Sequence, residues 1–269
     1  MDISWWQAAV LGVVEGLTEF LPVSSTGHLI IAAPLINAHD SHDVFKIVIQ
    51  LGAILAVCVY FHQRIWSLLR GMATRDPLAW RFAAAVMVAT IPAAVIGKLS
   101  DDWIEMHLFS PTVVACSLAC GGLAILFIER RRSTPRYEDV SALPWSVVVG
   151  IGLCQLAALM PGISRSGATI LGALCLGVAR PVATEFSFFL AIPILVGASL
   201  LKLKKHHQEL SADDGTAIAV GFIVSFVVAL AVVHWLLRYV AKHDFTPFAW
   251  YRIAAAIALA VLIYAGMLG

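Results

Sequence analysis

Glu15-Gly16-Leu17-Thr18-Glu19-Phe20-Leu21-Pro22-Val23-Ser24-Ser25-Thr26-Gly27-His28 interrupts an apolar run that extends from Ile3 to Leu35. Roughly 20 mostly apolar residues cross about 30 Å of hydrocarbon, so the run has the length of a span. Its middle does not have the composition of one, because it carries two carboxylates, a proline and a row of hydroxyls. The reading that fits both facts is a broken, re-entrant helix pair. Irregular backbone at membrane depth is tolerated only where protein buries it or where it lines a wet cavity.

A second apolar region, Trp145 to Val178, breaks in the same way at Pro161-Gly162-Ile163-Ser164-Arg165-Ser166-Gly167-Ala168-Thr169. A shift of 140 positions superposes the two breaks, pairing Gly12 with Gly152, Glu15 with Gln155, Ser24 with Ser164, Thr26 with Ser166 and Gly27 with Gly167. Each break is followed by three apolar runs: Phe45 to Phe61, Phe82 to Ile96 and Val113 to Ile128, then Glu185 to Leu201, Ala217 to Leu237 and Ile253 to Leu268. The expected fold is therefore an all-α polytopic membrane protein of about six transmembrane helices plus two re-entrant pairs. Three spans per half is an odd number, so the halves, approximately 1–135 and 140–269, are expected to form an inverted repeat within one membrane domain.

Composition agrees. Of the 269 residues 60% are hydrophobic and only 13% charged, and the mean hydropathy is +0.88, which lies outside the range of soluble domains. A net charge of +1 excludes a global basic field, so nucleic acid is not an expected partner. The N-terminus lacks a basic region and a small-residue cleavage site, and no cleaved signal is expected. The five cysteines lie in apolar stretches without zinc-ligand spacing and are expected to be buried small hydrophobes.

Loop charge sets the orientation. Arg64, Arg70, Arg75 and Arg81 in one loop, and Arg130, Arg131, Arg132 and Arg136 in another, are expected on the cytoplasmic side, with Arg238 and Lys242. A loop with Asp101, Asp102 and Glu105 against Lys98 is expected outside. The same count puts Lys202, Lys204 and Lys205 outside, against the rule, although Glu209, Asp213 and Asp214 follow them. Both termini and the opening of the first break then face outward.

Glu15 and Glu19 stand one helical turn apart on one face. A charge at bilayer depth costs about 2.5–3.5 kcal/mol on insertion scales, which favours metal coordination or general-base work over a protonated or water-facing pair near a helix end. If a helix starts at Ser24 or Ser25, His28 converges with Ser25, and hydroxyl, imidazole and carboxylate together make an activated nucleophile; simple capping by the hydroxyls is the alternative. Arg165 is the guanidinium of the second break. It cannot discard its charge, its fork matches phosphate oxygens, and a helix starting near Ser166 would add backbone N–H groups. A pyrophosphate carries about three negative charges and the glutamates two more, so a hard divalent cation, Mg²⁺ or Ca²⁺, is expected beside Arg165. Gln50 either lines the cavity or bonds a neighbouring helix.

The E/Q-x-x-x-E pair at Glu15 and Glu19 and the P-G-x-S-R-S-x-x-T segment at Pro161 to Thr169 closely resemble the bacterial undecaprenyl-pyrophosphate phosphatase family, linked to bacitracin resistance. Length and span pattern extend the resemblance over essentially the whole chain. It implies hydrolysis of the terminal phosphate of a C55 polyprenyl diphosphate, giving the monophosphate carrier for peptidoglycan and other cell-wall synthesis, in the bacterial inner membrane. Carried onto this sequence, it makes Glu15 and Glu19 the metal and activation pair and Arg165 the phosphate-binding arginine. Ser25 is then the nucleophile with His28 as proton shuttle, and Ser24, Thr26, Ser164, Ser166 and Thr169 contact phosphate. Attack by His28 itself stays open. So does a lipid-phosphate flippase, which would use the same inverted-repeat architecture. Expected partners are the polyprenyl diphosphate and membrane lipids, with homodimerisation undecided.

Overall fold

The structure is a computed structural model that describes residues 3–38, 40, 44–131, 134–206 and 215–267, with their side chains except those of Leu203, Lys205 and His206. Arg132, Glu209, Asp213, Asp214 and Leu268, used in reading the sequence, lie outside the described residues. The helices are α1 (Trp5–Thr18), α2 (Ser25–Leu35), α3 (Val44–Tyr60), α4 (His62–Ala73), α5 (Pro77–Leu108), α6 (Pro111–Arg130), α7 (Trp145–Cys154), α8 (Arg165–Cys175), α9 (Arg180–His206), α10 (Gly215–Val240) and α11 (Thr246–Tyr264). A 3₁₀ turn, Gln155–Leu159, extends α7.

Among the described residues, five helices (α5, α6, α9, α10 and α11) are long and apolar enough to cross a bilayer, and α3 with α4 passes as a pair bent by 72°. This is an all-α, multi-pass membrane protein. The outer loop expected to carry Asp101, Asp102 and Glu105 is instead helical: α5 runs on through all three to Leu108. Its start is fixed by Asp76, whose side chain accepts from Leu78 N–H at 3.0 Å, and by Pro77, which needs no donor there. After Ile96, lysine and acidic residues at helical spacing carry the same helix onward. The cysteines also differ from expectation, since Cys116, Cys120 and Cys175 are exposed and Cys58 and Cys154 half-buried. On the outer face of a membrane bundle a thiol meets lipid, and its apolar character suits that position equally well.

Both broken regions are hairpins with their ends tied together. At the open end of the first, the Gln7 side-chain amide donates to the Ile36 carbonyl at 2.8 Å, joining the start of α1 to the end of α2. At the open end of the second, Arg136 N–H donates to the Gly177 carbonyl at 2.7 Å and Tyr137 bridges Val178, joining the segment before α7 to the one after α8. The two arginine-rich connections share one face of the molecule, where Arg64 donates to Ser141 Oγ at 2.9 Å and Arg81 to the Leu143 carbonyl at 3.0 Å.

Helix α10 is the central post, with α1 and α3 against it. Lipid tails are as apolar as leucine, so close helix approach in a membrane depends on small residues rather than on hydrophobic burial. A Cβ on Gly12 would lie 2.7 Å from the Gly221 carbonyl oxygen, and one on Gly16 2.7 Å from that of Ser225. Ser225 Oγ donates across the other interface to the Ile49 carbonyl at 2.6 Å. Gly12→Val should therefore force α1 off α10, where the obstacle is backbone and cannot rotate away. The expected loss is about 1–3 kcal/mol of stability, read as a lowered melting temperature of the detergent-solubilised protein. An unchanged melting curve would show that the interface is looser than described.

Candidate active site

The tips of the two hairpins meet. Each tip ends in a serine with positive φ, Ser24 at 75° and Ser164 at 78°. An L-residue in such a conformation costs on the order of 1–3 kcal/mol and persists only where its surroundings hold it. Each of these serines also caps the helix that follows: Ser24 Oγ accepts from Gly27 N–H at 3.3 Å and Ser164 Oγ from Gly167 N–H at 3.1 Å. The pair of turns thereby places Ser25 and Arg165 at the first positions of α2 and α8, beside two sets of uncommitted helix N-terminal amides.

Glu19 joins the two tips. Its Oε2 accepts from Ser25 Oγ at 2.5 Å, and its Oε1 accepts from Arg165 Nη2 at 3.1 Å. Arg165 Nη1 donates on to the Ser187 carbonyl of α9 at 2.8 Å, while its buried Nε has no partner. Glu15 is 1% exposed, and its Oε1 likewise has no hydrogen-bond partner, nor does Oε1 of the neighbouring buried Gln155. These groups line a cavity of about 450 Å³ that also takes in Ser24, Thr26, Gln50 and Ser164. Gln50 therefore faces the cavity. Two carboxylates and one guanidinium give the floor a formal net charge of −1, with unmatched oxygens on one side and an unmatched N–H on the other.

Three expected site residues are held elsewhere. His28 does not reach Ser25. Its Nδ1 donates to the Ser24 carbonyl at 2.7 Å, and its Nε2 meets Tyr251 OH at 2.6 Å, with the two rings stacked. Three residues along α2 turn the imidazole to the face packed toward α11, while Ser25 at the helix start faces the cavity; the partner expected to be imidazole is the Glu19 carboxylate. Ser166, fully buried, donates to the Leu21 carbonyl at 2.8 Å and so fastens one tip to the other. Thr169 Oγ1 donates to the Arg165 carbonyl at 2.9 Å and lies 2.7 Å from Ser187 Oγ. Both hydroxyls brace the frame that carries Arg165, and neither lines the cavity.

The residue that sequence reading missed is Arg252. It sits in α11, 1% exposed, and all five of its hydrogen bonds go to backbone carbonyls. Nη1 donates to Pro22 and Ile163 at 3.0 and 2.9 Å, Nη2 to Ser117 and Gly162 at 3.0 and 2.9 Å, and Nε to Leu118 at 3.3 Å. One guanidinium thus holds both tips and α6 at once. Gly121 of α6 makes room for it, since any Cβ there would run into the guanidinium. Its one signal in the sequence is an arginine at the edge of the last apolar run, Ile253 to Leu268.

The sequence model of the family described as bacitracin resistance protein BacA matches residues 8–258. Among curated proteins the chain is 50% identical to undecaprenyl-diphosphatase 2 of Rhodospirillum rubrum over 263 residues, covering 97% of this chain and 96% of that protein. It is 49% identical to the undecaprenyl-diphosphatase of Rhizorhabdus wittichii, covering 98% and 100%. It is 51% identical to undecaprenyl-diphosphatase 1 of Paraburkholderia xenovorans, covering 97% and 96%.

Lysine at position 252 would keep the charge but lose the planar fork that serves five acceptors. Arg252→Lys is expected to leave several buried carbonyls unpaired, at about 1–3 kcal/mol each. A lower melting temperature should accompany impaired phosphate release. Wild-type values for both would show that the tips hold their places without it.

Proposed function

This chain belongs to the bacitracin resistance protein BacA family, and from that membership we propose that its cavity hydrolyses undecaprenyl diphosphate to undecaprenyl phosphate and inorganic phosphate. The observation that carries the reading is the line Ser25–Glu19–Arg165: a hydroxyl bonded to a carboxylate, with a guanidinium on the carboxylate's other oxygen. Ser25 Oγ attacks the terminal phosphorus and passes its proton to Glu19. The new O–P bond forms as the anhydride bond breaks, and the electron pair leaves with the lipid monophosphate. Glu19 hands that proton to the departing lipid monophosphate and, ionised again, takes one from a water whose oxygen attacks the phosphoserine; the Ser25 Oγ–P bond breaks, Ser25 Oγ recovers the proton from Glu19, and inorganic phosphate leaves. Arg165 binds the non-bridging oxygens, and the open N–H groups at the starts of α2 and α8 face the charge that develops on them.

The donor set suits a hard divalent cation. Glu15 Oε1 and Gln155 Oε1 are buried oxygens without partners, and such sites take one or two carboxylates together with phosphate oxygens. Glu15, Glu19 and Gln155 would hold Mg²⁺ or Ca²⁺, which when bound would offset the charge of the diphosphate.

The orientation follows from the arginine-rich face, taken as cytoplasmic by the positive-inside rule, so that the cavity opens outward from a bacterial inner membrane. The same reading takes 1–135 and 140–269 as inverted repeats. Their matching Ser24 and Ser164 conformations and caps support it.

Phosphate release from a polyprenyl diphosphate by the purified, detergent-solubilised protein tests the function. Ser25→Ala should cut turnover by at least about a thousandfold and Glu19→Gln by about 10²–10⁴. Absence of release from folded wild type would overturn the phosphatase reading, and full activity in Ser25→Ala would transfer the attack to water. A chelator in excess should silence wild type, with recovery on adding Mg²⁺ or Ca²⁺; turnover that survives chelation refutes the cation.

A further inference from the structure

The cavity is charged at two levels. Its floor holds Glu15, Glu19 and Arg165, while Lys46 of α3, Lys98 and Asp101 of α5, and Lys202 of α9 line it as well. Helix geometry separates the two groups. Ser187 of α9 holds Arg165, and Lys202 follows fifteen residues later, about 22 Å along the axis. The Gln155 side chain contacts the Ala89 carbonyl of α5 at 3.5 Å, and Lys98 follows nine residues later, about 14 Å along. Lys46 lies one turn beyond Gln50. All three lysines are on the side away from the arginine-rich connections, since α5 and α9 start at that face and α3 ends there.

On α5 the cavity face reads Ala93, Ala94, Gly97, Lys98, Asp101, Ile104, a stripe at helical spacing. Lys98 thus belongs to the cavity wall. On α5 and α9 the mouth carries Lys98, Asp101 and Lys202, two positive charges against one negative. Lysines on a face where the positive-inside rule disfavours them are accounted for if they serve the cavity, and Lys202 was the exception in the loop-charge pattern.

We propose that Lys98 and Lys202 form an outer anion-binding subsite that captures the diphosphate headgroup at the mouth before it reaches Arg165 and Ser25. The subsite rests on the phosphatase reading above and deepens it. A trivalent headgroup entering from outside meets the mouth before the floor, and the lysines there raise the local headgroup concentration along the entry path. Its contribution falls in substrate capture rather than in the chemical step, and salt weakens it, because these side chains are exposed or half-exposed.

Steady-state phosphate release from a polyprenyl diphosphate in detergent micelles, at low and high salt, tests this with Lys98→Gln, Lys202→Gln and the double variant. Each single change should raise KM on the order of three- to fivefold, and the double variant about tenfold, with kcat within about twofold of wild type. KM of the wild type should rise with salt, and that rise should flatten in the double variant. Lys98→Arg with Lys202→Arg should restore both, and Asp101→Asn should lower KM. If the double variant keeps the KM and salt dependence of wild type, the subsite is overturned while the phosphatase stands. A collapse of kcat at unchanged KM also overturns it, by placing the lysines in the chemistry or the frame. If wild type releases no phosphate, the phosphatase reading falls and takes the subsite with it.

Discussion

A helix that breaks inside a bilayer leaves carbonyl oxygens that water cannot reach, and each must find a donor within the protein. Here two such breaks touch, and Arg252 supplies donors to both. Its choice over any neutral donor has a physical basis: one planar cation presents five N–H groups, and carbonyl dipoles converging on it compensate for much of the lost hydration. The two turns with strained serines exist as a fixed pair because this clamp and the Ser166–Leu21 bond hold them together. The positions of Ser25 and Arg165 are then a consequence of where those turns end.

Glu19 shows how little separates structure from chemistry at the floor. One of its oxygens holds the hydroxyl and the other the guanidinium, so the carboxylate aligns two groups from different hairpins. Removing one charge of such a buried pair strands the other, which is why the cluster is robust as a unit and fragile in its parts. Glu15, by contrast, brings an oxygen with no protein partner.

Much of this was legible in the sequence. Broken apolar runs carrying Pro, Ser and charge announced the hairpins, and buried Glu15, Glu19 and Arg165 announced the floor, because charge in an apolar context has few explanations. What failed was side-chain direction. His28 and Thr169 share short motifs with Ser25 and Arg165, yet a helix turns residues three or four positions on toward other neighbours, and only the packing of α11 and α9 shows which face each takes. Arg252 was hidden for a different reason, since its partners are carbonyls scattered from Pro22 to Ile163 and leave no trace in residue type. At the outer end of α5 the polar composition resembles a loop, whereas helical spacing continues through it.

The seating of α1 on α10 has a consequence for how the protein is made. Gly12 must lie against Gly221, whose codon comes 209 positions later. At about 5–20 residues per second, the ribosome takes roughly 10–40 s to supply that partner. Throughout that interval the first hairpin has neither its packing surface nor its clamp, and its polar tip cannot rest in hydrocarbon unaided. The first hairpin to be synthesised is therefore among the last parts to be finished, since its packing surface and its clamp arrive only with the C-terminal helices.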